Sequence, residues 1–280
     1  MTGRRALILG GGGVTGIGWM TGLLAGLAEA GTDLTSADLV VGTSAGSVVG
    51  AQILSGITLD DLYAAALKEP TGEVAAKMRV GVLIGFVVNS LWPGDDRIGR
   101  ARLGRAALKS RTVPEAERRA IIKLRLPTTS WPDRNLLITA VDAETGEARN
   151  FDRESGVSLA DAVAASCAVP LVWPPMTIEG HRYMDGGVRS ITNADLARGY
   201  QTVVVLAPVA LALRRSGRID RQLASLGPHV RSIVVRPDAN ARHAIGRNVL
   251  DPARRVASAR AGHEQATAVA AACSAVWSGA

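Results

Sequence analysis

Leu39-Val40-Val41-Gly42-Thr43-Ser44-Ala45-Gly46 runs from a short apolar strand into a serine flanked by two glycines, and an apolar stretch continues through Leu54 to Gly56. A strand, a sharp glycine turn and a helix, in that order, hold a serine hydroxyl clear of a sheet. They also set it at a helix N-terminus, where the dipole favours developing negative charge. Gly42 and Gly46 suit such a turn because backbone there passes close to backbone. As a bare pattern Gly-x-Ser-x-Gly is common by chance, and its weight comes from the strand and helix on either side.

Upstream, Arg5–Leu9 is a second apolar run, followed by Gly10-Gly11-Gly12-Gly13-Val14-Thr15-Gly16. This predicts another strand and turn, then a helix from about Gly16 to Ala30 with Leu23, Leu24 and Leu27 on one face, ending at Gly31. The glycine run admits three readings. Gly11-x-Gly13-x-x-Gly16 fits a dinucleotide loop in a Rossmann-like nucleotide-binding protein. The N–H groups of Gly11, Gly12 and Gly13, free of side chains, fit an oxyanion hole. A turn that merely permits tight packing is the third. The nucleotide reading needs an acidic residue after the second strand, but that strand ends in Gly42-Thr43-Ser44, and Asp33 and Asp38 precede it.

Further on, Asn135–Asp142 and Ala148–Asp152 flank a turn and predict a hairpin. Ser158–Ala168 has helical composition with Ser158 as N-cap. Met176–Ile178 and His181–Met184 predict a second hairpin, leading directly into Asp185-Gly186-Gly187. Thr202–Ala207 and Val230–Val235 read as strands, and Pro252–Ser274 as a long Ala-rich helix. This alternation predicts an α/β fold with a mostly parallel central sheet, one domain over residues 1–280. Residues 58–134 would be an embellishment, including a basic segment at Arg97–Arg125 and an apolar one at Val80–Trp92. In the latter, Val82, Leu83, Phe86, Val87 and Trp92 lie near Lys77 and Arg79, a pattern that suits either a lipid interface or burial.

A serine nucleophile needs a base. None of His181, His229, His243 and His263 stands at a strand end followed by glycines, although chain order would allow His229, His243 or His263 to complete a Ser-Asp-His triad of the α/β-hydrolase kind. Asp185 stands at a strand end with Gly186 and Gly187 after it, so its carboxylate is uncrowded and another backbone can come near. It is the best candidate base.

Composition narrows the class. Hydrophobic residues make up 47% of the 280 and charged residues 20%, the balance of a globular chain with a large core. A net charge of +7 is spread along the chain without an aromatic-interleaved cluster, so no nucleic acid is expected as partner. Cys167 and Cys273 make no disulfide framework and have no metal-ligand spacing. The opening residues have too short an apolar run for a signal peptide, and no stretch reaches membrane-spanning length. A cytoplasmic protein is expected, with peripheral membrane contact left open.

The three elements, in the order glycine loop, Gly-x-Ser-x-Gly and Asp-Gly-Gly, resemble patatin-like phospholipases. Ala165-Ser166-Cys167-Ala168-Val169-Pro170, Trp173-Pro174-Pro175, Tyr183-Met184-Asp185-Gly186-Gly187 and Asn193 extend the resemblance, which covers about residues 5–56 and 135–210. It implies a three-layer α/β/α sandwich, a lipid or small ester substrate, and no cofactor or metal. It also implies a Ser-Asp dyad of Ser44 and Asp185, with the backbone of Gly11, Gly12 and Gly13 as oxyanion hole. Thr15 is a departure, because many members of that family carry Arg or Lys at this position.

Overall fold

The computed structural model describes residues 3–69, 95–209 and 215–279. The apolar segment Val80–Trp92 therefore lies outside the described residues. Among the described residues eight strands form one sheet: β1 Arg5–Leu9, β2 Leu39–Gly42, β3 Leu136–Asp142, β4 Ala148–Phe151, β5 Met176–Ile178, β6 His181–Asp185, β7 Thr202–Leu206 and β8 Arg231–Val235. Their order is β5-β6-β3-β2-β1-β7-β8, with β4 pairing β3 off this path. β3, β2, β1, β7 and β8 run parallel, while β4, β5 and β6 are antiparallel to their partners.

The α-helices of the described residues are α1 Gly13–Glu29, α2 Ala45–Ile53, α3 Leu59–Ala66, α4 Asp96–Leu108, α5 Glu115–Leu124, α6 Leu159–Ser166, α7 Ile219–Ala224, α8 Ala239–Ile245 and α9 Arg255–Ser278. Side chains alternate across the strands with a period of two. Leu7, Leu9, Val40, Ile138, Val204 and Leu206 pack with residues of α1, α2, α6 and α9. Ala6, Ile8, Val41, Val203 and Val205 meet Ala194, Ala197 and Ile219 on the other face. The sheet is thus the middle of three layers, as expected. Several boundaries differ from the sequence reading: the last helix ends at Ser278 rather than Ser274, α6 ends at Ser166 rather than Ala168, and two helices start elsewhere. α1 starts at Gly13 rather than Gly16, so the glycine run continues into its first turn. α9 starts at Arg255, because residues Pro252–Arg254 form a 3-10 turn capped by the Asp251 side chain.

One detail of the pairing brings two distant segments together. β4 occupies one edge of β3 from Ile138 to Val141. β2 pairs with Leu136 to Ile138, and β6 with Ala140 to Asp142, so both must lie on the other edge. β2 runs towards Thr139 from one side and β6 from the opposite side. The chain leaving β2 at Thr43-Ser44 and the chain ending β6 at Asp185 consequently meet opposite Thr139.

Candidate active site

Ser44 is the N-cap of α2 and has φ 51° and ψ −114°, an unusual conformation for a side-chain-bearing residue. Its backbone is held on every side. The N–H donates to Ser166 Oγ at 2.9 Å, and the carbonyl accepts from Ser47 Oγ at 2.7 Å and Cys167 Sγ at 3.3 Å. Gly46 is required by close approach, since a Cβ there would stand 1.9 Å from the Leu9 carbonyl oxygen. The turn therefore presses the start of α2 against the end of β1 and turns the serine outward from the sheet.

Asp185 is 5% exposed and Ser44 8%. The Asp185 N–H donates to the Ala168 carbonyl at 3.0 Å, and its Oδ1 accepts the Gly187 N–H at 2.7 Å. Gly186 packs so tightly on β3 that a Cβ would meet Thr139 Oγ1 at 2.2 Å. Burial pushes the Asp185 carboxyl up to about 6, against the opposing effects of the Ser44 hydroxyl, the Gly187 N–H and the Arg118 guanidinium. Oδ2 nevertheless makes no hydrogen bond of ordinary geometry, so the Ser44 contact is a loose one. Such contacts commonly tighten only when substrate is bound. The segment Ser166–Ala168, flagged in the sequence without a role, anchors the N–H groups of both residues.

The glycine loop borders the same place. A Cβ on Gly11 would lie 3.6 Å from Ser44 Cβ, and Gly13 lines the cleft over Ser44 with φ +60°. The Gly11 N–H, however, donates to the Ile191 carbonyl at 2.8 Å. The Gly11 N–H could serve an oxyanion only by giving up or sharing that bond. The N–H groups of Gly12 and Gly13 have no backbone acceptor among the described residues.

The cleft is lined by Val14, Ile17, Val169, Trp173 and Leu250 together with Arg118 and Arg125. Arg118 is 4% exposed and its guanidinium sits 4.0 Å from the centre of the Trp173 ring. Nothing in the sequence singled out Arg118, one arginine among many in a basic segment. Thr15 is buried, and its hydroxyl donates to the Val249 carbonyl at 3.3 Å, so it brings no charge to the glycine loop. No histidine lines the cleft. His181 is on the surface 3.4 Å from Asp142, His263 pairs with Glu29 and stacks on Tyr63, and His229 and His243 are exposed.

A family model described as patatin-like phospholipase matches residues 7–198, more than half of the chain. The chain belongs to the patatin-like phospholipase family. This membership supports lipid acyl hydrolase activity, and the matched residues take in the glycine loop, Ser44 and Asp185. Among solved structures the chain is similar to VipD from Legionella pneumophila, at 14% identity and a TM-score of 0.48, covering 97% of this chain and 67% of that one. It is also similar to the type III effector protein ExoU, at 14% identity and a TM-score of 0.40, covering 97% of this chain and 53% of that one. No curated protein sequence matches it.

Proposed function

We propose that this patatin-like chain hydrolyses carboxylic esters of lipids through an acyl-Ser44 intermediate, with Asp185 as the base. Asp185 takes the hydroxyl proton as Ser44 Oγ attacks the ester carbonyl. The tetrahedral oxyanion is stabilised by the N–H groups of Gly12 and Gly13 and by the N-terminus of α2. Collapse expels the alcohol, which takes the proton back from Asp185. Asp185 then removes a proton from water as it attacks the acyl group, and on collapse returns that proton to Ser44 Oγ, releasing the acid and free Ser44. No cofactor or metal enters these steps.

The observation that supports this reading is a buried carboxyl, raised to about 6, beside a serine held in an unusual backbone conformation at a helix N-terminus. A base near neutrality is what proton abstraction at physiological pH requires. The apolar cleft walls suit an acyl chain. The triad alternative has no histidine at the cleft to work with, and the nucleotide reading leaves the Ser44–Asp185 juxtaposition without a purpose. Peripheral contact with lipid is part of the proposal, supported by Leu124, which is 88% exposed and directly precedes the cleft residue Arg125.

The test is kinetic. Ser44→Ala and Asp185→Asn each lose turnover by about 10⁴-fold or more on a p-nitrophenyl ester, and the double variant is hardly worse than either. A folded single variant that retains substantial turnover contradicts the dyad.

A further inference from the structure

We infer that Asn193 is a positioning residue for the Ser44–Asp185 pair, its one carboxamide tying the residue before the nucleophile to the residue after the base. The inference rests on the dyad reading above. Asn193 is 1% exposed. Its Nδ2 lies 3.0 Å from Thr43 Oγ1, 3.3 Å from Thr139 Oγ1, 2.7 Å from the Ser190 carbonyl and 3.4 Å from the Gly186 carbonyl. Two N–H bonds shared over four acceptors leave Ser190 and Thr43 as the principal partners, with Thr139 and Gly186 sharing.

The orientation of the amide is fixed by its other end. Oδ1 accepts from Arg189 at 2.6 Å, and flipping the group would face an NH₂ towards a guanidinium that can only donate. Arg189 is held in turn by a two-pronged pair with Asp195, at 2.5 and 3.1 Å. The Asn193 backbone is left-handed, at φ 52° and ψ 39°, a conformation asparagine tolerates better than most residues, and its N–H is held by Ser190 Oγ at 3.0 Å.

The consequence follows from the sheet. β2 and β6 meet opposite Thr139, but no strand pairing joins them across that gap. Thr43 Oγ1 and Thr139 Oγ1 lie 3.0 Å apart, and the Asn193 amide closes the circuit between the serine turn and Gly186. It acts on Ser44 and Asp185 only through their neighbours. Loss of this brace lets the loose Ser44–Asp185 contact open further, which slows proton transfer and leaves the substrate cleft as it was.

Asn193→Ser and Arg189→Met, with Ser44→Ala and Asp185→Asn beside them, test this on a soluble p-nitrophenyl ester. Fold is checked by near-ultraviolet circular dichroism, and kcat is expressed per folded molecule. Asn193→Ser is expected to lower kcat by about 10- to 100-fold with KM within about threefold of wild type, since misplacement on the scale of an ångström has effects of that size. A folded Asn193→Ser enzyme with a kcat loss below about fivefold, or with its loss confined to KM, overturns the inference. Should Asn193→Ser not fold, Arg189→Met decides, and there a kcat fall of less than about threefold overturns it. Activity retained by Ser44→Ala or Asp185→Asn would instead refute the dyad, and this role for Asn193 with it. Both controls inactive beside a fully active Asn193→Ser would leave the dyad standing and remove the brace alone.

Discussion

At Asp185, burial and catalysis pull on one pKa. As the proposed base it would work only when ionised, so kcat/KM should rise with pH through about 6, the value to which burial lifts it. Arg118 opposes that lift. Arg118→Gln is expected to move the acid limb of the pH–rate profile to higher pH, and an unmoved or lowered limb would show that its charge does not reach the carboxylate. Stability carries the same signature with a definite sign. The folded value of about 6 exceeds the ordinary 3.8, so the group favours the fold fully below pH 3.8 and loses that contribution as pH climbs through 6. Asp185→Asn, which keeps an acceptor for the Gly187 N–H, should therefore be the more stable protein at pH 7, by up to roughly 3 kcal/mol. The gain should vanish near pH 4; urea unfolding at the two pH values measures it, and equal stability at both would contradict this account of the carboxyl. Asp185 was legible in the sequence because glycines mark the strand end at which it stands. Arg118 was not, since its burial and its stacking on Trp173 depend on tertiary packing that a run of arginines does not announce.

At the scale of elements, the sequence told strands from helices through apolar runs and glycine stops, and both hairpins fall where alternation and turns placed them. Pairing across the sheet was less accessible. That β6 meets β2 end to end along β3 depends on which edge β4 occupies, and no local pattern encodes it. The start of α1 was set too late because Gly13 through Gly16 were read as loop, whereas Gly13 already opens the helix. Gly46 illustrates how an element crossing demands a residue. Gly46→Ala drives a Cβ into the Leu9 carbonyl, so α2 must shift; destabilisation of about 2 kcal/mol or more is expected in urea unfolding. Gly56→Ala is the control: its Cβ meets nothing, its positive φ is the only obstacle, and a loss of about 1 kcal/mol is expected. Equal losses at both positions would contradict the crossing argument.

Across the whole molecule, residues from the glycine loop, the serine turn, α5 and the segment Ser166–Ala168 line one cleft, and Asp185 at the end of β6 is buried behind Ser44. Of these segments only α5 was unmarked in the sequence, and the fold supplies it. Among the described residues no helix is long and apolar enough to cross a membrane. An anionic lipid surface would attract the net charge of +7, and Leu124 would be the apolar contact beside the cleft. Leu124→Ser should weaken hydrolysis of ester substrate carried in anionic vesicles while sparing a soluble ester, and equal effects on both would count against that contact. The central claim is that Ser44 is made nucleophilic by Asp185 and by no histidine. Fluorophosphonate labelling followed by peptide mass analysis addresses it, with labelling rates compared at pH 7.5 across the variants, an assay condition of about physiological pH. The account predicts modification confined to the Ser44 peptide, at a rate reduced by on the order of 10²-fold or more in Asp185→Asn and unchanged when His181, His229, His243 and His263 are each replaced by Ala. Modification at another residue, a wild-type labelling rate in Asp185→Asn, or a folded histidine variant that no longer labels would contradict it.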